Sequence, residues 1–573
     1  MRPFDNRYYR YRDIDPDEIF LDSSNLPGHN ATQFEGRVER PVSRRALIVV
    51  GAFFVLVATA FGSRALQLQV AQGASYADVS RNNALASSLI FASRGLLYDR
   101  TGVQLAWNEL PIAESSSTSA TSTPPMFADR KYINLPGFSH LLGWVRYPKQ
   151  DKSGVWWRED YTGMAGIELS LDDALRGKNG SLMIESDARG HIYRQNIVVP
   201  PENGADLHLT INADIQSKLN TILAAHARLQ GFVGGAAVIM NVETGEIIAL
   251  TSFPEYNNQA FTDGNVQAVA HASADTKTPL LDRAVSGLYA PGSIVKPIFA
   301  AAALQENIIS PEKTIISTGQ ISIPNAYDPE KPTVFRDWTV HGAVDMRTAI
   351  AVSSDEYFYT IGGGYGGQKG LGIDNIDKYA RMFGLASPTG IALSGEKEGN
   401  IPTPEWKARV FGTDDPWRIG DTYHTAIGQY GFQVTPIQAV RYIAAIANGG
   451  KLLTPHIIAS TTPVFSMVGI SDDNLQVVRE GMRMAVTSTR GDATVKSLNF
   501  SDIHIAAKTG TAQIGAHNEW MNSWSVGFWP AEHPRYAYAV VLERAKAGTP
   551  SGAAPGFVPF FQWLVASHAE YLK

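Results

Sequence analysis

Two early strands, a long helical insert and three late strands predict an α+β domain, an antiparallel sheet with helices on its faces. The early pair reads as a hairpin from Gly235 to Ser252: the apolar run AAVIMNV, a turn at Glu243-Thr-Gly245, then EIIALTS. The late strands are Ser501 to Gln513, Trp524 to Trp529 and Tyr536 to Glu543. Leu207 to Ile211 leads into this domain. Asp214 to Leu229 follows, with Ile215, Leu219, Ile222 and Leu223 at helical spacing. Within the insert one helix start carries a full signature, with Thr435 as N-cap, Pro436 at N1 and Gln438 at N3, and Asn448-Gly-Gly450 closes it.

The rest of the chain divides by composition. Its 573 residues allow two to four domains, and a net charge of −6 argues against a general nucleic-acid binder. The absence of cysteine excludes disulfides and thiolate metal sites. Ala46 to Gly62 is an uncharged apolar run at the lower end of what spans a bilayer. It starts late and no Ala-x-Ala-like site follows directly, which predicts an anchor rather than a cleaved signal. Arg37, Arg40, Arg44 and Arg45 precede it, against Arg64 and Arg81 behind it. That asymmetry places the N-terminus in the cytoplasm and the remainder outside. The expected division is a polar cytoplasmic tail (1–45), a transmembrane helix (46–63), an elongated pedestal (64–205) and the α+β domain (206–573). Ser63 to Leu85 reads as a helix continuing outward. The segment from Glu114 to Pro125 is too rich in Ser and Thr to build a core.

Three short motifs carry chemistry: Ser293-Ile-Val-Lys296, Ser353-Ser-Asp355 and Lys508-Thr-Gly-Thr511. Each alone is weak. Ser-x-x-Lys also fits Ser310 to Lys313 and Ser394 to Lys397. Pro291-Gly292 breaks the chain before Ser293, and Ile294 to Glu306 has helical composition. Ser293 therefore sits at a helix start, with Lys296 one turn on. The electropositive helix terminus favours an anion developing at the serine, and Pro297 is tolerated in a first turn. A lysine acts as a base only when burial or a neighbouring cation lowers its pKa. Ser353 and Asp355 precede Glu356-Tyr-Phe-Tyr359 and also suit an N-cap pair. Gly510, on a strand, permits close approach of a substrate backbone.

With their flanks, including Tyr289-Ala-Pro-Gly292, Arg94-Gly-Leu-Leu-Tyr-Asp-Arg100, Gly163 to Glu168 and Val434-Thr-Pro-Ile-Gln438, these motifs resemble the penicillin-binding proteins, most closely the class B elongation type. The resemblance runs from about Arg94 to the C-terminus. It implies a penicillin-recognising serine transferase fold and a D,D-transpeptidase that cross-links stem peptides through an acyl-enzyme on Ser293. Lys296 becomes the base, helped by the charge of Lys508. Ser353 becomes the proton shuttle, and Asp355 holds either substrate amide or Lys296. Thr511 and Ser293 N–H groups form the oxyanion hole, and Lys508, Thr509 and Thr511 receive the terminal carboxylate. Ile427-Gly-Gln-Tyr430-Gly431 departs from the family's Gly-Gln-Gly order. Some relatives bind zinc with a histidine and a cysteine inside the second motif. Here that cysteine position is Ser354, so His341 reads as structural and neither metal nor cofactor is expected. Phe335-Arg-Asp-Trp338 reads equally as substrate loop or packing. A deacylating Glu-x-x-Leu-Asn segment is missing from the sequence. Expected partners are peptidoglycan stem peptides, β-lactams as inhibitors, a SEDS-family membrane polymerase and other elongation-complex proteins docking on the pedestal. A polymerase is expected because about 140 pedestal residues are too few for a glycosyltransferase. The alternatives are a division-type transpeptidase and a non-catalytic β-lactam or muropeptide sensor.

Overall fold

The computed structural model describes residues 42–83, 85–110, 127–186, 192–325, 328 and 330–573. Nearly all of the expected tail, and the whole Ser/Thr-rich segment, lie outside these. The apolar run forms α1 (Arg44–Leu66), opened by Ser43, whose hydroxyl accepts the Ala46 N–H. Among the described residues, one helical stretch, Arg44–Ala71, is long and apolar enough to cross a membrane. The expected outward helix is interrupted. A π-turn at Gln67–Ala71 ends at Gln72, α2 (Gly73–Asn83) follows, and Leu85–Ile90 is already a strand, β1.

The pedestal sheet joins β2 (Leu97–Tyr98), β3 (Gln104–Glu109) and β4 (Asp129–Tyr132). Further along, β5 (Gly180–Ser186) pairs antiparallel with β6 (Ile192–Val199). The lead-in strand shrinks to β7 (Leu207–His208), and it pairs parallel with β2. It thus completes the pedestal sheet instead of the larger one. Two pedestal motifs meet in the interior: Arg94 and Arg130 both bond Glu168, at 2.5 and 2.7 Å, with all three side chains fully buried. A short stretch after the first hairpin grips this pedestal through its backbone. The Glu255 carboxylate accepts the Gly137 and Ser139 N–H groups, and Asn258 donates to the Gly143 carbonyl.

Helix α3 (Ala213–Gln230) begins at Asn212, whose side chain caps two N–H groups, and ends on Gly231 in the left-handed region. The predicted sheet follows. β8 (Gly234–Asn241) and β9 (Ile247–Phe253) form the hairpin, and the late strands are β10 (Ala506–Ile514), β11 (Trp520–Trp529) and β12 (Tyr536–Lys546). The order is β9-β8-β12-β11-β10, antiparallel throughout, so β10 is an edge. Alternate residues feed two cores. Ala236, Val238 and Met240 join the helical insert, while Ala237 and Ile239 face α3 and the C-terminal helix Ala553–Ser567. Both faces are covered, so β8 and β9 are buried at every position and read as unbroken apolar runs. In the insert, the helix Pro436–Ala447 starts with the predicted reciprocal cap between Thr435 and Gln438.

Candidate active site

Ser293 lies in a tight 3-10 turn, Gly292–Val295, and the α-helix proper (Lys296–Gln305) starts at Lys296. The nucleophile candidate therefore precedes the helix by one turn, and the Lys296 N–H donates back to its carbonyl. Pro297 sits in the first helical turn, as predicted. The turn is clamped on three sides. The Gly292 N–H donates to the Gly428 carbonyl at 2.9 Å, the buried Tyr442 hydroxyl donates to the Ile294 carbonyl at 2.8 Å, and Trp524 Nε1 donates to the Ala290 carbonyl. Gly428 has no room for a side chain, since a Cβ there would lie 2.2 Å from the Gly292 carbonyl oxygen. Its neighbour Tyr430 takes a positive φ of 64°, where the family order has glycine, and Trp406, Phe411 and Trp417 pack around its ring.

The second motif forms a corner between two helices, Met346–Val352 and Asp355–Gly363. Ser353 closes the first in the left-handed region (φ 60°, ψ 40°), and Ser354 caps the second by accepting the Tyr357 N–H. The capping reading thus belongs to Ser354 and leaves the Ser353 hydroxyl free for other partners. Those partners are both lysines. Lys508 Nζ donates to Ser353 Oγ at 2.7 Å, and Lys296 Nζ approaches the same oxygen at 3.3 Å. Lys296 also donates to the Ser353 carbonyl at 2.7 Å and to Asp355 Oδ1 at 2.6 Å. Of the two readings for Asp355, the structure places it on Lys296.

Lys296 and Lys508 are both fully buried. Burial, reinforced by the charge of Lys296 and opposed by Asp355, holds Lys508 well below the ordinary lysine range. The depressed lysine seen here is Lys508, the residue expected to act as the depressing cation. Lys508, Thr509, Gly510 and Thr511 all lie on the edge strand β10, with Thr511 exposed. A Cβ on Gly510 would lie 2.7 Å from the Pro291 carbonyl oxygen and 2.9 Å from Ile294. The Ser293 turn itself therefore approaches this position closely enough to need glycine there. The alternative Ser-x-x-Lys serines, Ser310 and Ser394, are exposed and outside helices.

A supporting shell stands behind the corner. Asp337 accepts from Ser354 Oγ at 2.7 Å and from the Glu356 N–H at 2.9 Å. Burial works against its charge, yet the His341 contact, the Glu356 N–H and Lys296 outweigh it and hold Asp337 at about 2. His341 lies between two carboxylates, Nδ1 2.7 Å from Asp492 and Nε2 3.5 Å from Asp337. They overcome its burial and raise its pKa. Phe335 packs inward on Tyr423, while Trp338 stays exposed and donates to the Val352 carbonyl, so that segment serves both packing and corner. Buried Glu356, missed in the sequence, accepts from the Ser317 hydroxyl and the Thr318 and Gly319 N–H groups. Its only signal was an acid inside aromatic helical text.

Known proteins resemble this chain in sequence and fold. The family model described as the penicillin binding protein transpeptidase domain matches residues 235–560, and the penicillin-binding protein dimerisation domain matches 125–209. The peptidoglycan D,D-transpeptidase MrdA of Haemophilus influenzae is 31% identical over 462 residues, covering 74% of this chain and 68% of the relative. The complex of penicillin-binding protein PBP2 and MreC from Helicobacter pylori superposes with a TM-score of 0.69 at 26% identity, over 84% of this chain and 99% of that one. A solved structure described as the structural coordination of polymerization and crosslinking by a peptidoglycan synthase complex gives 0.69 at 25% identity, over 92% and 99%. The chain belongs to the penicillin-binding protein transpeptidase family.

Proposed function

We propose that Ser293 is the acyl-accepting nucleophile and that a single proton shared by Lys296 and Lys508 through Ser353 activates it. The chain is a serine-type peptidoglycan D,D-transpeptidase of the elongation type. The observation that carries the reading is Ser353 Oγ, in reach of both lysine nitrogens. A stem peptide ending in D-Ala-D-Ala brings its carboxylate to Lys508, Thr509 and Thr511. That anion favours the charged form of Lys508. Lys508 then takes the Ser353 proton while Ser353 takes one from Lys296. Neutral Lys296 accepts the Ser293 proton as Oγ bonds to the penultimate carbonyl carbon. The Ser293 and Thr511 N–H groups receive the oxyanion. Collapse breaks the amide bond to the terminal D-Ala, whose nitrogen takes the Lys296 proton by way of Ser353. A second stem-peptide amine reverses the sequence and completes the cross-link. Asp355 keeps Lys296 aimed at Ser353.

The same reading assigns residues 1–45 to the cytoplasm, 46–63 to the membrane, 64–205 to the pedestal and 206–573 to the transpeptidase domain outside the cytoplasmic membrane. A relative solved with MreC and another solved within a peptidoglycan synthase complex support elongation-complex partners for this chain, and the reading adds a SEDS-family polymerase to them. Fluorescent penicillin tests the nucleophile. The label is expected to be covalent and to vanish in Ser293→Ala; retention there, or loss in Ser394→Ala instead, contradicts the assignment.

A further inference from the structure

The short stretch that grips the pedestal also closes a cavity of 360 Å³ against it. His140, Trp144 and the turn at residues 164–166 form the pedestal side. Tyr256 and Phe261, from the gripping stretch, and Asp282 form the other. The pedestal wall is tightly set. Gly166 has a φ of 55°, and a Cβ there would lie 2.6 Å from both the Gly143 nitrogen and the Leu141 carbonyl oxygen.

Aromatic rings run along the cavity in one series. Trp144 meets Phe261 at 5.5 Å between centroids, Phe261 meets Tyr256 at 4.9 Å, and Tyr256 meets His140 at 5.3 Å. Two of their polar groups are already engaged: the Tyr256 hydroxyl donates to the Ser139 carbonyl at 3.0 Å, and His140 Nε2 donates to the Pro279 carbonyl at 2.8 Å. Burial lowers the His140 pKa, so the imidazole is neutral at neutral pH. These side chains therefore offer an occupant ring surface.

Asp282 is the exception. Its carboxylate accepts the Ala284 N–H at 2.9 Å and makes no ion pair among the described residues. Burial raises its pKa, and its charge in turn helps to raise that of Glu255, so two acids stand close together here. The neighbouring cations have other partners. Arg283 bonds Glu543 and the Lys277 and Thr278 carbonyls, and Arg146 lies over the Trp144 ring, 5.7 Å from its centroid. An aromatic wall beside an unmatched carboxylate suits a positive charge carried on an apolar group.

We propose that this cavity binds a small organic cation, with an ammonium group set between the Asp282 carboxylate and the Tyr256 and Phe261 rings and an apolar body against Trp144 and Leu393. The occupant touches the pedestal and the transpeptidase domain at once. None of the residues lining the cavity belongs to the Ser293 cluster, and the inference does not rest on that reading.

The test titrates the full-length chain with 2-phenylethylammonium and with its neutral counterpart 2-phenylethanol, and calorimetry gives a Kd for each. Wild type is expected to bind the ammonium about tenfold more tightly. Asp282→Asn keeps an acceptor for the Ala284 N–H and should remove most of that preference. Leu393→Trp fills the cavity and should abolish binding of both probes, and thermal unfolding shows whether each variant is folded. Equal Kd values in wild type, no binding of either probe, a preference unchanged in Asp282→Asn, or ammonium binding that survives Leu393→Trp overturns the site. The wild-type comparison and Leu393→Trp decide the question even if Asp282→Asn does not fold.

Discussion

Two clusters of buried charge in this molecule are used in opposite ways. In the pedestal Glu168 is held by Arg94 and Arg130, and Arg94 reaches on to Asp172 at 2.8 Å. Burial alone would raise the Glu168 pKa, but the two guanidinium groups lower it. Arginine does not release its proton in proteins, so every donor there is fixed. In the transpeptidase domain the cations are lysines, a serine hydroxyl lies between them, and one of them is pushed toward neutrality. Burial and ion pairing are common to both clusters. What separates structural charge from chemical charge is whether a proton has somewhere to go.

Substitutions should divide along that line. Lys296→Ala removes the proposed base, and penicillin acylation should fall by as much as about 10⁴-fold, read from the second-order labelling rate. Near-wild-type acylation would move the base elsewhere. Glu168→Gln in the pedestal should do the reverse. It removes the anion that the two buried guanidinium groups share, leaving Asp172 to Arg94 alone, and should cost about 3 kcal/mol of stability in denaturant unfolding, while the labelling rate of the folded fraction stays at the wild-type value. A loss of rate without a loss of stability would make the pedestal cluster part of the chemistry.

Glu255 sharpens the comparison as a titratable group in a structural role. Burial raises its carboxyl to about 7, against the opposing effect of the Gly137 and Ser139 N–H groups. Its folded-state pKa exceeds the unfolded one, so between those values the native state binds more protons, and stability falls as pH rises toward 7 and then levels off. The expected drop across that window is roughly 3 kcal/mol, and Glu255→Gln should flatten it. A profile unaffected by the substitution would remove Glu255 from the pedestal junction.

The sheet was legible because both its faces are covered, which left long apolar runs bounded by turns. Thr435 and Gln438 were legible because a capping box is local. Ser293, Lys296, Ser353, Asp355 and Lys508 were marked by motif order and by family resemblance, and folding brings them to one place. Details that depend on distant partners were not legible. Ser354 rather than Ser353 caps the helix because Ser353 turns into the left-handed region at the corner. The need for glycine at 510 comes from a turn more than 200 residues earlier. His341 meets Asp492 across a separation of 151 residues, and Leu207–His208 finds its strand partner in Leu97–Tyr98. No composition or spacing in one segment encodes such pairings.

The central claim is the shared proton, and the pH dependence of penicillin acylation in wild type and Lys508→Arg tests it most directly. A lysine with a lowered pKa is neutral above that value, so in wild type acylation should rise with pH through a limb well below the ordinary lysine range. An arginine at 508 cannot take the proton, and Lys296 must then release its own to solvent before it can act. The limb should therefore move to higher pH in Lys508→Arg, with acylation at neutral pH roughly ten- to a hundredfold slower. A limb at the same pH in both proteins would contradict the account.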